Sequence, residues 1–331
     1  MRLLLFALAL LFARPVWAEV TEVRMSKQYG LGYMAMLVME RQLLIEKHAA
    51  AAGLAGVHAT WRQMADAVTM NDALLAGSVD FTGPGVTTLA TMWDKTVGTP
   101  QEVRAISALQ SMPFVLVTRN PDVRSIRDLT AKDKIALPGV KLSGHALTLQ
   151  FAAAREWGFA NFERLDPLTI TRSHADAMAA MMSGGTEIDT HFASSPFYYI
   201  ELARPEFRQI LKSYDVWGGR HTNGVVITSK RFYDTNPKIV AAVFAALTEA
   251  NGWIKANPRE AAQIYLEMTG ERGTTLDAMA TMVADPDVDY TTTPVKVMEI
   301  VAFMQKVGRL KRVPARWQDL FFPEAHGLPG S

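Results

Sequence analysis

Four stretches of the chain concentrate glycine, hydroxyl and aromatic residues in the spacing of loops that receive a ligand. They are Gln28-Tyr29-Gly30-Leu31-Gly32-Tyr33, Thr82-Gly83-Pro84-Gly85-Val86-Thr87, Pro138-Gly139-Val140-Lys141-Leu142-Ser143-Gly144-His145 and Ala193-Ser194-Ser195-Pro196. Glycine lets a backbone approach a ligand closely, and a serine or threonine at a helix start can turn its hydroxyl toward it. Free N–H groups in such turns cradle anions. Any one of these stretches is equally ordinary turn chemistry between a strand and a helix; four together, in both halves of the chain, favour a shared binding site. His145 could donate a hydrogen bond to an anion, Lys141 and Arg220 could supply counter-charge, and Tyr29, Tyr33, Phe114, Phe192, Phe197 and Trp217 could line an apolar pocket or simply fill a core.

Other chemistries find little support. None of the loops matches G-x-x-x-x-G-K-[ST] or G-x-G-x-x-G, which argues against a nucleotide. The chain has no cysteine, so a thiol nucleophile is excluded, and it has no G-x-S-x-G elbow. The seven histidines form no H-x-H or H-x-x-x-H pair, so no transition-metal site and no cofactor is expected. Met178, Met181 and Met182 sit at helical spacing and read as an apolar face.

Elements that could position these loops follow from hydropathy. Strands are expected over 20–27, 57–61 and 78–81, alternating with helices over 34–45, 64–76 and 86–94. That β-α order demands a mainly parallel sheet with helices on its faces. Strands over 103–109 and 114–118 are separated by Ser111-Met112-Pro113, where proline forbids a continuous ladder. A second set follows: strands at 134–137, 168–171 and 188–192, with helices at 143–157, at 174–183 and after Pro196. The run 224–228 could return the chain to the first sheet. Beyond it the sequence is helical, and Pro237, Pro258 and Pro294 suit first-turn positions. No internal repeat is evident.

The chain has 331 residues, enough for two lobes each with its own core. Residues 1–18 read as a secretory signal, with Arg2, an apolar run of about ten residues too short to span a bilayer, and Val16-Trp17-Ala18 as the cleavage site. Without Arg2 and Arg14, the 34 basic residues become 32 against 33 acidic ones, and net charge falls from +1 to −1. Nothing there attracts nucleic acid. The missing cysteine also removes a lipid anchor, which points to a periplasmic location.

The order of these segments resembles a known family. The strand, Gly30-Leu31-Gly32-Tyr33, the helix and then Asn71-Asp72-Ala73-Leu74-Leu75-Ala76-Gly77-Ser78-Val79-Asp80-Phe81 are similar to the first lobe of nitrate-, sulfonate- and taurine-type ABC substrate-binding proteins. Val123-Arg124-Ser125-Ile126-Arg127-Asp128-Leu129 with Lys134-Ile135-Ala136, and 176–189 ending in Glu187-Ile188-Asp189, resemble that family's second lobe. The resemblance implies a two-lobe α/β fold of the type 2 periplasmic-binding kind, with residues 19–113 and 222–331 in one lobe and 114–221 in the other. Hinge strands are implied at 114–118 and 224–228, with a helical C-terminal region. It implies a monomer that captures a small organic anion (sulfonate, taurine-like or carboxylate) and passes it to the permease of an ABC importer. Its site would comprise Tyr29, Tyr33, Gly83, Pro84, Gly85, Val86, Met112, Leu142, Ser143, Gly144, His145, Phe192, Ala193, Ser194, Thr222 and Asn223. At Leu142-Ser143 the chain departs from the small pair usual there. The alternatives are a neutral heteroaromatic ligand, such as a thiamine-precursor pyrimidine, and a hydrolase on the same fold.

Overall fold

A computed structural model describes residues 18–64, 67–185 and 187–331; the expected signal segment lies outside them except for Ala18. Among the described residues ten strands are formed: β1 (Glu22–Lys27), β2 (His58–Gln63), β3 (Phe81–Thr82), β4 (Val103–Ser111), β5 (Val115–Thr118), β6 (Ile135–Leu137), β7 (Thr169–Thr171), β8 (Thr190–Ala193), β9 (Arg208–Lys212) and β10 (Thr222–Ser229). They build two five-stranded sheets, in the orders β2-β1-β3-β10-β4 and β7-β6-β8-β5-β9.

The two orders are the same plan. Within each sheet three strands run parallel, linked by helices, and a fourth, β10 or β5, lies antiparallel to its neighbours on both sides. No repeat was legible in the sequence because the plan is carried by burial and strand order, which unrelated apolar side chains satisfy equally. One polar device does recur. Asp80 accepts the backbone N–H of Arg24 at 2.8 Å and pairs with its guanidinium at 2.6 Å. Asp189 accepts the backbone N–H of Lys134 at 3.1 Å and the Thr190 hydroxyl at 2.9 Å. Both carboxylates thus tie a parallel strand to its neighbour just outside the ladder.

Alternation along the strands divides the core. Ile106, Leu109 and Val226 face one side of the first sheet, under the helices Met34–Arg41, Pro237–Ala256 and Pro258–Thr269. Val103, Ala105, Val225 and Ile227 face the other side, in an apolar cluster that continues to Leu116, Leu137 and Phe192 of the second sheet. Val115 and Val117 point to a third, smaller cluster, as period-two alternation requires. The 20-residue helix Pro237–Ala256 is long and apolar enough to cross a membrane by composition alone, but Ile239, Val240, Val243, Leu247 and Ile254 are buried in the first core.

The strands expected as hinges, β5 and β10, each lie wholly within one sheet. The chain changes sheet in the short links 112–114 and 218–221. Ser213 joins them: the Phe114 N–H donates to its Oγ at 2.9 Å, and that Oγ lies 2.9 Å from His221 Nε2. The sequence reading missed β9 and the helix Ser213–Trp217, because RQILK alternates weakly and sits at a sheet edge.

Candidate functional site

The strand-to-helix loops of both sheets converge on one cavity of about 340 Å³. Tyr29, Tyr33, Gly83, Pro84, Gly85 and Met112 line it from the first sheet. Leu142, Ser143, Gly144, His145 and Ser194 line it from the second, and Asn223 from the start of β10. Four expected residues do not reach it. Phe192 and Ala193 lie within β8 and are fully buried in the apolar clusters. Val86 and Thr222 lie behind the wall, around a separate void of about 20 Å³, room for one water.

Helix starts dominate the walls. Ser143 caps the helix Gly144–Trp157 by accepting the Ala146 N–H at 3.2 Å, and Gly85 precedes the helix Val86–Thr96. The first amides of a helix have no acceptor within it, so they face outward as donors. At Gly83 a Cβ would stand 2.9 Å from the Tyr33 ring, closer than side chains pack; at Gly144 it would stand 3.2 Å from the Phe114 ring, which would have to give way. Tyr33 in turn donates its hydroxyl to the Gly83 carbonyl at 2.7 Å.

His145 packs on Phe114, with ring centroids 3.7 Å apart, and its Nε2 lies 3.0 Å from Ser194 Oγ. Burial, with smaller contributions from His191 and His221, holds its pKa well below the ordinary value, so the ring is neutral at pH 7. Its Nδ1 has no partner among the described residues. Lys141 and Arg220 stay away from the cavity. Lys141 Nζ lies 3.6 Å from Glu163 and 3.9 Å from Asp166, while Arg220 donates to the Pro286 carbonyl and lies 3.9 Å from Asp289. Trp217 donates to Thr148 at 3.0 Å within the core.

Sequence reasoning overlooked Val68, Asn71, Asp72 and Leu75, which all line the cavity. Their spacing marks one face of the helix Ala67–Leu75, a signal that was present but read only as part of a motif. Val68 and Leu75, with Tyr29 and Leu142, are four of the seven large apolar side chains left exposed among the described residues. All four line this one cavity, so its exposed rim carries an apolar stretch beside the exposed Asp72 and Lys95. Inside it, Asn71 Oδ1, Thr87 Oγ1 and Ser195 Oγ are buried and unpartnered among the described residues. Buried polar atoms are rarely left so in the absence of a guest or water. His174 and Gln110 also line the wall, as do Lys95 and Asp72 with opposite charges. No group of three His, Asp or Glu among the described residues is placed to hold a metal ion.

Residues 22–267 match the NMT1-like family. The chain belongs to that family. No curated protein matches it. Among solved structures, the alkanesulfonate-binding protein SsuA from Xanthomonas axonopodis pv. citri, bound to MOPS, superposes with a TM-score of 0.66 at 17% identity, covering 88% of this chain and 92% of that one. The periplasmic aliphatic sulphonate binding protein SsuA from Escherichia coli gives 0.66 at 19%, covering 91% and 99%. The periplasmic nitrate-binding protein NrtA from Synechocystis PCC 6803 gives 0.68 at 17%, covering 88% and 83%. These likenesses establish the periplasmic-binding-protein fold for the chain.

Proposed function

We propose that the chain is the solute-capturing component of an ABC importer, exported to the periplasm, and that it takes a small organic anion into the cavity between its two sheets. The observation that carries this reading is the convergence of two helix starts, at Gly85 and at Ser143-Gly144-His145, from opposite sheets on one opening. Their amides would hold the anionic group, and the apolar rim of Tyr29, Val68, Leu75 and Leu142 would cover the remainder. Lobes of residues 19–113 with 222–331, and of 114–221, would close about the links at 112–114 and 218–221, marking the loaded state for the permease. The structural neighbours named above are sulfonate- and nitrate-binding proteins, which supports an oxyanion here.

A second reading, a neutral heteroaromatic solute, is favoured by the pairing of Lys141 and Arg220 away from the opening. The hydrolase reading draws on the Ser194–His145 contact, but His145 lacks the carboxylate partner that would orient it as a base. Thermal unfolding with ethanesulfonate, taurine, nitrate and benzoate on one side, and cytosine and nicotinamide on the other, tests these. Stabilisation by an anion is expected. Stabilisation by the neutral compounds alone would transfer the case to the second reading.

A further inference from the structure

Behind His174 on the cavity wall stands a chain of titratable groups. His174 Nδ1 lies 2.9 Å from His191 Nε2, and His191 Nδ1 lies 2.6 Å from Glu201 Oε1. The side chains of His191 and Glu201 are wholly buried. Among the described residues Glu201 pairs with no lysine or arginine, and its Oε2 has no partner. The other groups packed around the chain are His145, whose ring centroid is 5.0 Å from that of His174, and Phe197, stacked on His174 at 5.4 Å. Tyr198 and Tyr199 share the helix Phe197–Leu202 with Glu201, and the remaining titratable residues of the cavity wall are Tyr29, Tyr33, Asp72 and Lys95.

Each contact in the chain needs one hydrogen, which restricts the proton arrangements. With two protons, the Glu201 carboxylate accepts from His191 Nδ1–H and His191 Nε2 accepts from His174 Nδ1–H. His174 Nε2 is then bare, and the cluster carries a buried negative charge with one carboxylate oxygen unpartnered, a costly state. With a third proton the cluster is neutral. That proton can sit on His191, on His174 or on Glu201 Oε1, since a hydroxyl at Glu201 Oε2 would find no acceptor among the described residues, and in each of these three cases His174 Nε2 carries a hydrogen.

We propose that Glu201 and His191 retain this third proton at neutral pH and thereby fix His174 as an N–H donor to an acceptor oxygen of the solute. Glu201 and His191 are positioning residues; His174 makes the contact. The inference rests on the solute-binding reading and narrows it to solutes that present a carboxylate, sulfonate or nitrate-type oxygen. Burial, His145 and His191 all push the His174 pKa down, which suits a proton held on the Glu201–His191 pair. Losing that proton at higher pH turns Nε2 into an acceptor beside a net negative charge, and the same solute is rejected.

Side-chain ¹⁵N–¹H correlation spectra of solute-free protein labelled at histidine test this. At pH 7 the hydrogen is expected on His174 Nε2, with Nδ1 bare. Raising the pH should move it to Nδ1, with His191 shifting in the same step, and Glu201→Gln, which has no carboxyl proton to lose, should lack that step. A hydrogen on Nδ1 at pH 7 in the unsubstituted protein, or the same titration in both proteins, overturns the proposal. Because no solute is present, the result stands apart from whether the anion panel binds.

Discussion

The backbone N–H of Leu31 donates to the carbonyl of Ser195 at 3.0 Å, and the two residues belong to loops that follow strands of different sheets. The contact therefore spans the opening of the cavity and holds the two sides together. Gly30 makes it possible: its φ is +112°, and a Cβ there would stand 3.1 Å from the Ser195 oxygen. Gly30→Ala combines backbone strain with that close approach, at a cost of about 1–2 kcal/mol. The variant is expected to be more open in small-angle scattering and to melt lower; an unchanged radius of gyration would remove the contact's role in closure.

Thr87→Val should affect binding more than folding. The Thr87 hydroxyl is buried without a partner among the described residues, so removing it leaves solute-free stability unchanged or slightly raised. Losing one hydrogen bond to a guest, worth about 1 kcal/mol, should weaken binding by roughly fivefold. Urea unfolding and titration with ethanesulfonate, on both proteins, separate the two effects.

Acid should loosen the joint between the sheets. Burial lowers the pKa of His221 to about 4 from 6.5. Between those values the unfolded chain holds a proton that the folded chain does not, so stability is full above pH 6.5 and declines as pH falls toward 4. The group accounts for about 3 kcal/mol across that window. His221 Nδ1 lies 3.4 Å from the Thr222 carbonyl, which can only accept, so in the neutral ring Nε2 is bare and accepts from the Ser213 hydroxyl; protonating Nε2 ends that acceptance. Urea midpoints from pH 7.5 to 4.5 should fall less steeply in His221→Gln; parallel slopes would show that other groups control acid sensitivity.

Asp80→Ala should destabilise the first sheet. It strands the Arg24 guanidinium and the Arg24 backbone N–H, both of which the buried carboxylate accepts from. Because Arg24 stays partly in water, the loss of these bonds costs about 2 kcal/mol. Chemical denaturation measures it, and a loss below about 1 kcal/mol would mean that water replaces the carboxylate.

Most of the architecture was legible because it rests on local signals. The β-α alternation, the prolines at 237 and 258 and the capping serine at 143 each state an element in a few residues. The aspartates at 80 and 189 were legible only as letters of a motif; their task, accepting an N–H from the neighbouring strand, depends on a strand more than 50 positions earlier. The site was half legible. Loops following strands were found, since glycine and serine mark them, but Phe192 and Ala193, expected in the wall, are the buried last two residues of a strand. His174, His191 and Glu201 escaped notice because nothing in their spacing shows that they touch; sheet order brings them together.

The strand order of the first sheet has a consequence for how the chain comes together. β3 and β4 are not neighbours; β10, made from residues 222–229, lies between them. The N-terminal third of the polypeptide therefore cannot finish its own layer until a stretch more than 100 residues downstream has emerged. The intervening segment, with β5 to β9 continuous in sequence, has no such wait. Maturation is thereby ordered from the middle outward, and pulse-labelled hydrogen exchange during refolding should protect β5–β9 before β1–β4.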